Sequence, residues 1–159
     1  MLSVDITNLS YIQNTLPSGT EQGVFVKNMK YYNKWNNNKI EIDSLGAMSV
    51  KQFPNEGDVW ISKIGVNIGV EQDGSVIDFT RPVLVIKKFN NHMYWILPLS
   101  SKQKNLDFYY NFVDKDQNNV SVILAQLRVS SVKRFIRKIY EIDKSDYNLI
   151  KSQLIKFLS

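Results

Sequence analysis

The chain has 159 residues, no cysteine and a formal net charge of +5, and 43% of its residues are hydrophobic. These values predict a globular protein of one domain, with room for a short extension. The lack of cysteine excludes a disulfide framework, a thiolate metal site and a cysteine nucleophile. No apolar run approaches the roughly 20 residues of a membrane span, and the first residues do not resemble a signal peptide. We therefore expect a soluble, cytoplasmic protein.

Residues 1–55 predict an extension built around one helix. Thr20 is a suitable helix cap, and the asparagines at 36–38 are expected to end the helix because asparagine competes for helical hydrogen bonds. The apolar face of this helix is expected to carry Phe25, Met29 and Tyr32, with Trp35 as a further candidate. Alternation at 40–42 predicts a short strand, and the glycines and proline at 46–57 predict a linker.

Residues 56–159 predict a second domain made mainly of short strands and one helix. The strand-like segments lie at 58–64, 83–86, 93–99, 108–113, 121–128 and 135–142. Ser145 is expected to cap the last helix, whose apolar face would carry Tyr147, Ile150, Leu154, Phe157 and Leu158. This pattern favours an α+β fold that is mainly β, with a small curled sheet or partly open barrel.

Polar residues at the ends of three of these strands form a candidate anion site. A loop with three glycines follows the first strand and ends at Arg81, and the third strand ends at Ser100, Ser101 and Lys102. Residues 81–138 contain eleven Lys or Arg against three Asp, which is typical of a surface that attracts phosphate. A solvated lysine-rich surface explains the same charge equally well, so charge alone does not decide the function.

Four short motifs follow one another along these strands. They are G-D-V-W at 57–60, G-V-E-Q at 69–72, R-P-V-L-V-I at 81–86 and P-L-S-S at 98–101. Two later segments are S-V-I-L-A-Q-L-R at 121–128 and R-F-I-R-K-I at 134–139. In this order and spacing they resemble the MazF/PemK family of ribonuclease toxins. The resemblance covers about 57–158, and residues 1–55 have no counterpart in it.

The resemblance implies an SH3-like, partly open barrel with a C-terminal helix, which forms a homodimer. It implies the toxin of a toxin–antitoxin system, bound by a cognate antitoxin, that cleaves single-stranded RNA at specific sequences without a metal or other cofactor. Such cleavage uses the 2′-hydroxyl of the RNA, and it needs a proton acceptor, a proton donor and a cation at the phosphorane. The resemblance places the catalytic arginine at Arg81 and a phosphate-contacting hydroxyl at Ser100. Glu71 is the candidate base, or a partner that positions Arg81.

Five further residues are candidates for contacts with the RNA substrate, and one position departs from the family pattern. The contact residues are Gln72, Ser101, Lys102, Gln126 and Arg128. Ala125 stands where several relatives carry an acidic residue that is thought to help catalysis. The chain therefore either lacks that group or uses Glu71 in its place.

Two alternatives stay open at this point. The same barrel could act as a non-catalytic module that binds RNA or an acidic protein, and a toxin that poisons gyrase is a weaker third possibility. His92 is the only histidine, and its place after Asn90 and Asn91 is typical of a solvated turn. The spacing of His, Asp and Glu suggests no metal site.

Overall fold

The computed structural model describes residues 20–45 and 52–158, and the side chains of 29–45 and 52–157 within them. Helix α1 spans Thr20–Ser44, and helix α2 spans Lys144–Leu158. The strands of the described residues are β1 Asp58–Lys63, β2 Thr80–Lys88, β3 Met93–Ser100, β4 Tyr109–Val113, β5 Asn119–Ile123, β6 Arg128–Ser131 and β7 Phe135–Glu141. One-turn 3₁₀ helices at Leu124–Gln126 and Val132–Arg134 precede β6 and β7. The start of the predicted linker and the side chain of Leu158 lie outside the described residues.

The strands form one antiparallel sheet in the order β4-β5-β3-β2-β1-β7, and β6 pairs with β3 beside this path. Within the described chain the two end strands, β4 and β7, do not pair with each other, so the sheet does not close. This confirms the mainly β fold with an open barrel and a helix at each end of the sequence. The boundary between extension and domain at residue 55 stays a prediction.

The single strand predicted at 121–128 is wrong, because the chain turns within it. Leu99 of β3 pairs with Val122 of β5, whereas Ile96 pairs with Arg128 of β6. The 3₁₀ turn at Leu124–Gln126 carries the chain from one end of β3 to the other. Leu124 is buried within that turn. A buried turn is as apolar as a buried strand, so periodicity alone could not separate them.

Helix α2 packs on one face of the sheet and completes the main core. Ile150 is fully buried there, and Tyr147 and Leu154 pack against the same cluster. The helix begins one residue before the predicted cap, since the N–H of Tyr147 donates to the carbonyl of Asp143 at 2.9 Å. Asp143, rather than Ser145, therefore occupies the N-cap position. Phe157, predicted on the apolar face, is half exposed.

A buried carboxylate explains the G-D-V-W motif structurally. Asp58 accepts hydrogen bonds from the N–H of Asn55 at 2.9 Å and from Nε1 of Trp60 at 3.2 Å. Its other oxygen lies 2.5 Å from Nζ of Lys138 on the neighbouring strand β7. The charge of Lys138 compensates the burial of this carboxylate, as a buried charge requires. The motif thus links β1 to β7, and its role is to stabilise the sheet.

Helix α1 is longer than predicted, and it presents a different face. It continues through Asn36 to Ser44, and the predicted short strand at 40–42 is wrong because Ile42 lies in the helix and is buried. Tertiary packing overrides the weak helix propensity of asparagine here. The packed face carries Tyr31, Trp35 and Ile42, while Tyr32 is 38% exposed and the side chain of Phe25 is outside the described set.

The packed face of α1 contacts the loop at 64–79 that joins β1 to β2. Trp35 and Ile42 form a cluster with Val66 and Phe79, and the ring centre of Trp35 lies 5.3 Å from that of Phe79. Phe79 is fully buried and has a φ of 63°, a conformation that side-chain-bearing residues rarely adopt. The packing of its ring against α1 offsets this backbone strain.

Candidate active site

The start of β2 and the end of β3 lie side by side and line a cleft of about 770 Å³. Antiparallel pairing of Val83 with Pro98 brings the two strand ends together. Five of the eight predicted site residues line this cleft, namely Gln72, Arg81, Ser100, Ser101 and Lys102. The other walls come from the β4–β5 hairpin and from Tyr140 of β7.

Arg81 is held in one orientation by two backbone carbonyls. Its Nε donates to the carbonyl of Asp73 at 2.6 Å, and one terminal nitrogen donates to the carbonyl of Leu99 at 2.9 Å. Within the described residues its other terminal nitrogen, Nη2, has no hydrogen-bond partner. Burial lowers the pKa of Arg81, while the charges of Asp73 and Tyr109 oppose the shift. An arginine pKa starts so high that the guanidinium stays charged, and this fixed cation suits a phosphate.

The end of β3 is fixed by a short network of hydrogen bonds. Ser100 Oγ accepts from the N–H of Lys102 at 3.1 Å, which turns the chain at the edge of the cleft. Ser121, its partner on β5, is buried and donates through Oγ to the carbonyl of Lys102 or to Oδ1 of Asn111. The hydroxyl of Ser100 thus lies on a braced strand end, and Lys102 and Lys104 line the same cleft.

The wall formed by the β4–β5 hairpin and β7 carries two carboxylates and one phenol. Asp114 and Asp116 line the cleft from the β4–β5 turn. Asp114 already accepts from the N–H groups of Asp116 and Asn118. Burial would raise the pKa of Asp114, but these bonds bring it below its usual value. Burial and the charges of Asp114 and Asp116 raise the pKa of Tyr140 to about 12, so its hydroxyl remains a proton donor at neutral pH.

The three remaining predicted residues lie outside the lining of the cleft. Glu71 is exposed, and its carboxylate accepts from the N–H of Ile68 at 3.3 Å. Gln126 accepts from the N–H of Gln72 at 3.2 Å and donates to the carbonyl of Val70 at 3.1 Å. Arg128 donates to Oδ1 of Asn67 at 3.1 Å. Gln126 and Arg128 therefore brace the loop at 64–79, and their contact with RNA stays a prediction.

Sequence reasoning missed the residues that close this loop at its base. Asp73 accepts from the N–H of Asn67 at 2.6 Å, and the amide of Asn67 donates to the carbonyl of Gln72 at 2.7 Å. The carbonyl of Asp73 in turn holds Arg81. Asparagine and aspartate commonly make such local backbone bonds, so the pair was a usable sequence signal.

Helix α1 also holds the loop at 64–79, which no motif indicated. The hydroxyl of Tyr31 donates to the carbonyl of Ser75 at 3.0 Å, and that of Tyr32 donates to the carbonyl of Asn67 at 3.1 Å. Lys34 donates to the carbonyl of Ile77 at 3.1 Å. The loop next to Arg81 is therefore hydrogen-bonded to the extension towards both of its ends, at residues 67, 75 and 77.

The part of the chain that the structure describes lacks two other features. It contains no group of three His, Cys, Asp or Glu side chains placed to hold a metal ion. None of its helices is both long and apolar enough to cross a bilayer. His92 lies in the β2–β3 turn, where its N–H donates to Oδ1 of Asn90 at 2.8 Å.

Comparisons with known proteins agree with this geometry. Residues 55–158 match the family model described as PemK-like, MazF-like toxin of type II toxin-antitoxin system. The solved MazF (Form-I) of Deinococcus radiodurans is 18% identical, with a TM-score of 0.58 over 68% of this chain and 98% of that one. An endoribonuclease in complex with its cognate antitoxin from a mycobacterial species is 13% identical, with a TM-score of 0.53 over 66% and 94%. The MazE-MazF complex (Form-II) of D. radiodurans is 18% identical, with a TM-score of 0.54 over 68% and 97%. The search of curated proteins gave no match.

Proposed function

Because the chain belongs to the PemK-like, MazF-like family of type II toxins, we propose that it is a metal-independent endoribonuclease that cleaves single-stranded RNA. Toxins of this family are generally endoribonucleases. The observation that carries the proposal is the placement of Arg81, whose Nε and one Nη are held by carbonyls while Nη2 is left for a ligand. A cation prepared in this way, beside the hydroxyl of Ser100, is what a phosphorane transition state requires.

The proposed mechanism assigns a role to the five predicted residues that line the cleft. The 2′-hydroxyl of the RNA attacks the adjacent phosphorus and gives its proton to a carboxylate. The bond to the 5′-oxygen of the next nucleotide breaks, and this oxygen takes a proton from solvent and leaves as a 5′-hydroxyl, so that a 2′,3′-cyclic phosphate remains. Arg81 neutralises the charge that develops on the phosphorane oxygens. Ser100 orients or protonates a phosphate oxygen, and Ser101 and Lys102 bind the RNA backbone. Gln72 contacts the nucleotides beside the cleavage point.

The proton acceptor has two candidates. Glu71 belongs to the G-V-E-Q motif, but it acts only if the loop moves, since its carboxylate is outside the cleft lining and accepts from Ile68. Asp116 already lines the cleft. Asp114 is the poorer base because two N–H groups occupy its carboxylate and lower its pKa. Glu71→Gln and Asp116→Asn variants, compared in rate against pH, separate the two candidates.

A cognate antitoxin and a second copy of the chain are the proposed protein partners. Solved relatives include a MazE-MazF complex and an endoribonuclease with its cognate antitoxin. An exposed apolar patch supports the homodimer: Trp95 pairs with Val129 across β3 and β6, and Phe89 lies edge-on to Trp95 at 5.1 Å. Light scattering that gives a monomer at micromolar concentration would contradict this part of the proposal.

The test of the proposed function is direct. Purified protein is incubated with RNA in EDTA, and the new 5′ ends are sequenced. Cleavage at a recurring short sequence, with a 2′,3′-cyclic phosphate on the upstream product, supports the proposal. A matched RNA with one 2′-deoxynucleotide before the cleavage point should stay intact. Protein that binds RNA and never cuts it would instead support a non-catalytic binding module.

Ala125 offers a specific explanation for that second outcome. It lies in the 3₁₀ turn at Leu124–Gln126, where its side chain is exposed. An Ala125→Glu variant restores the acidic group that several relatives carry at this position. Gain of cleavage by this variant alone would show that the fold has kept the site and lost one catalytic group.

A further inference from the structure

A second, smaller cleft of about 280 Å³ lies between α1 and β6. Its polar lining residues are Lys39, Asn67, Arg128, Ser130 and Arg134, and Trp35 is among its apolar ones. We propose that this cleft binds a phosphate group, and that its ligand is a backbone phosphate of the RNA outside the cleavage point. The choice of RNA as ligand rests on the proposed function, whereas the phosphate chemistry does not.

The charges of the second cleft are all of one sign. Lys39, Arg128 and Arg134 line it, and no aspartate or glutamate does so. Within the described residues none of these three cations has an ion pair. The nearby Asp43 pairs instead with Lys133, at 3.3 Å. Burial lowers the pKa of Arg134, and the charge of Arg128 lowers it further. A bound anion would relieve this repulsion, so the cleft has the electrostatics of an anion site.

Both arginines are positioned and still keep unused donors. Arg134 donates from one terminal nitrogen to the carbonyl of Lys63 at 2.9 Å, and its guanidinium lies 5.5 Å from the ring centre of Trp35. Arg128 donates from one terminal nitrogen to Asn67. A guanidinium has five N–H donors, so each arginine retains donors for a ligand while its orientation is set. Preorganised arginines bind phosphate with little loss of side-chain entropy.

Continuity with the main cleft points to a polynucleotide ligand. The loop at 64–79 borders both clefts, since Gln72 lines the first and Asn67 the second. Gln126 bonds to the middle of this loop, at Val70 and Gln72, and Arg128, two residues later, bonds to Asn67. A strand that passes over the loop would therefore leave one cleft and meet the other. The extension matters here because it supplies Lys39.

The test compares two lysines on the same helix. Lys39→Gln removes one charge from the cleft, and Lys30→Gln removes one from an exposed position of α1 outside it. Binding of a single-stranded oligonucleotide with 2′-deoxyribose throughout, which cannot be cut, is measured against salt. We expect Lys39→Gln to reduce the slope of log binding constant against log salt concentration by about 0.7. At about 0.1 M salt the variant should then bind about fivefold more weakly than wild type, and this difference grows as the salt is diluted further. Lys30→Gln should match wild type.

Two further arms separate the possible failures. Equal binding by the Lys39 and Lys30 variants overturns the RNA assignment, and RNA cleavage by wild type then shows that the proposed function still stands. The second arm uses Arg81→Ala protein, in which the main cleft lacks its arginine. Inorganic pyrophosphate should raise the melting temperature of this protein, and the double variant Arg81→Ala/Arg128→Gln should show no such rise. A rise of this kind without any effect on oligonucleotide binding shows a site for a small free phosphate compound. If neither probe responds to these variants, the site does not exist.

Discussion

The indole of Trp35 lies directly on Gly65, where α1 crosses the end of β1. A Cβ at residue 65 would come within 2.1 Å of the indole ring, and the φ of Gly65 is 88°. Only glycine satisfies both conditions, because a side chain would clash and would also strain this backbone conformation. The extension and the barrel are thus fitted to each other at this one contact.

Replacement of Trp35 should therefore destabilise the whole chain. Trp35 is 5% exposed, and truncation of a buried tryptophan to alanine typically costs about 3–5 kcal/mol. Ile40→Ala is the matched control, since Ile40 lies on the same helix and is 69% exposed. Urea unfolding should show a large loss for Trp35→Ala and a small one for Ile40→Ala. Equal midpoints for the two variants would mean that α1 adds no stability.

The same variant tests whether the extension covers the site. No α1 side chain that the structure describes lines the main cleft. Trp35→Ala should therefore not raise RNA cleavage, measured well below the unfolding transition. An increase in rate, reproduced by deletion of residues 1–55, would show instead that the extension acts as a plug over the RNA groove.

Arg81→Ala should abolish cleavage while the protein stays folded. Loss of one donor to a transition state typically costs about 10²–10³ in rate. Arg81→Lys should also be poor, because a lysine cannot hold two carbonyls and a phosphate together. Arg137→Ala, which removes an exposed arginine of β7, is the control. Rates are compared by single-turnover cleavage, and a fully active Arg81→Ala protein would end the enzyme proposal.

Ser100→Ala should reduce cleavage by a smaller factor than Arg81→Ala. The hydroxyl lies in the cleft but carries no charge of its own, so its loss removes one hydrogen bond to the charged phosphate, worth about 1.5 kcal/mol. His92→Ala is the control, because His92 is exposed in the β2–β3 turn. Cleavage rates of the two variants should differ by about tenfold. A His92 variant slower than the Ser100 variant would contradict this site.

Gln126→Ala should loosen the loop at 64–79 and leave the barrel intact. Gln126 makes two hydrogen bonds to this loop, and each is worth about 1 kcal/mol. Hydrogen exchange at the N–H of Gln72 should accelerate by about tenfold or more. Gln103→Ala is a matched control, since its amide donates to the distant carbonyl of Phe112. Unchanged exchange at Gln72 would show that the packing on α1 alone orders the loop.

The carboxylate of Asp78 should make stability depend on acid pH. It accepts from the hydroxyls of Ser75 and Thr80, and these bonds lower its pKa from the usual 3.8. The ionised form is favoured by folding, so its contribution is present above about pH 4 and is lost as pH falls through the folded-state pKa. Thermal unfolding should show Asp78→Asn less stable than wild type at pH 7, with a difference that disappears in strong acid.

Asp107→Asn is the control for this pH series. Asp107 is exposed, and among residues 20–45 and 52–158 it has no hydrogen-bond or ion-pair partner. Its replacement should leave the melting temperature at pH 7 unchanged. A difference in melting temperature between wild type and Asp78→Asn that is the same at every pH would contradict this prediction. Stability would then depend on the shape of the side chain at residue 78 and not on its charge.

Sequence order alone determined the β2–β3 hairpin, which forms one wall of the main cleft. The motifs at 81–86 and 98–101 predict two strands in succession, and consecutive strands usually pair antiparallel. That pairing necessarily places the start of β2, with Arg81, beside the end of β3, with Ser100. No long-range information was needed, because the register follows from a short hairpin.

Tertiary packing decided what local patterns could not. Helix α1 continues past three asparagines because Trp35 and Ile42 find partners in Val66 and Phe79, which are at least 24 residues away in sequence. The same packing leaves Glu71 outside the cleft lining and makes Gln126 a brace for the loop. Periodicity reports which residues are apolar, whereas the choice of partner depends on shapes that exist only after the chain has folded.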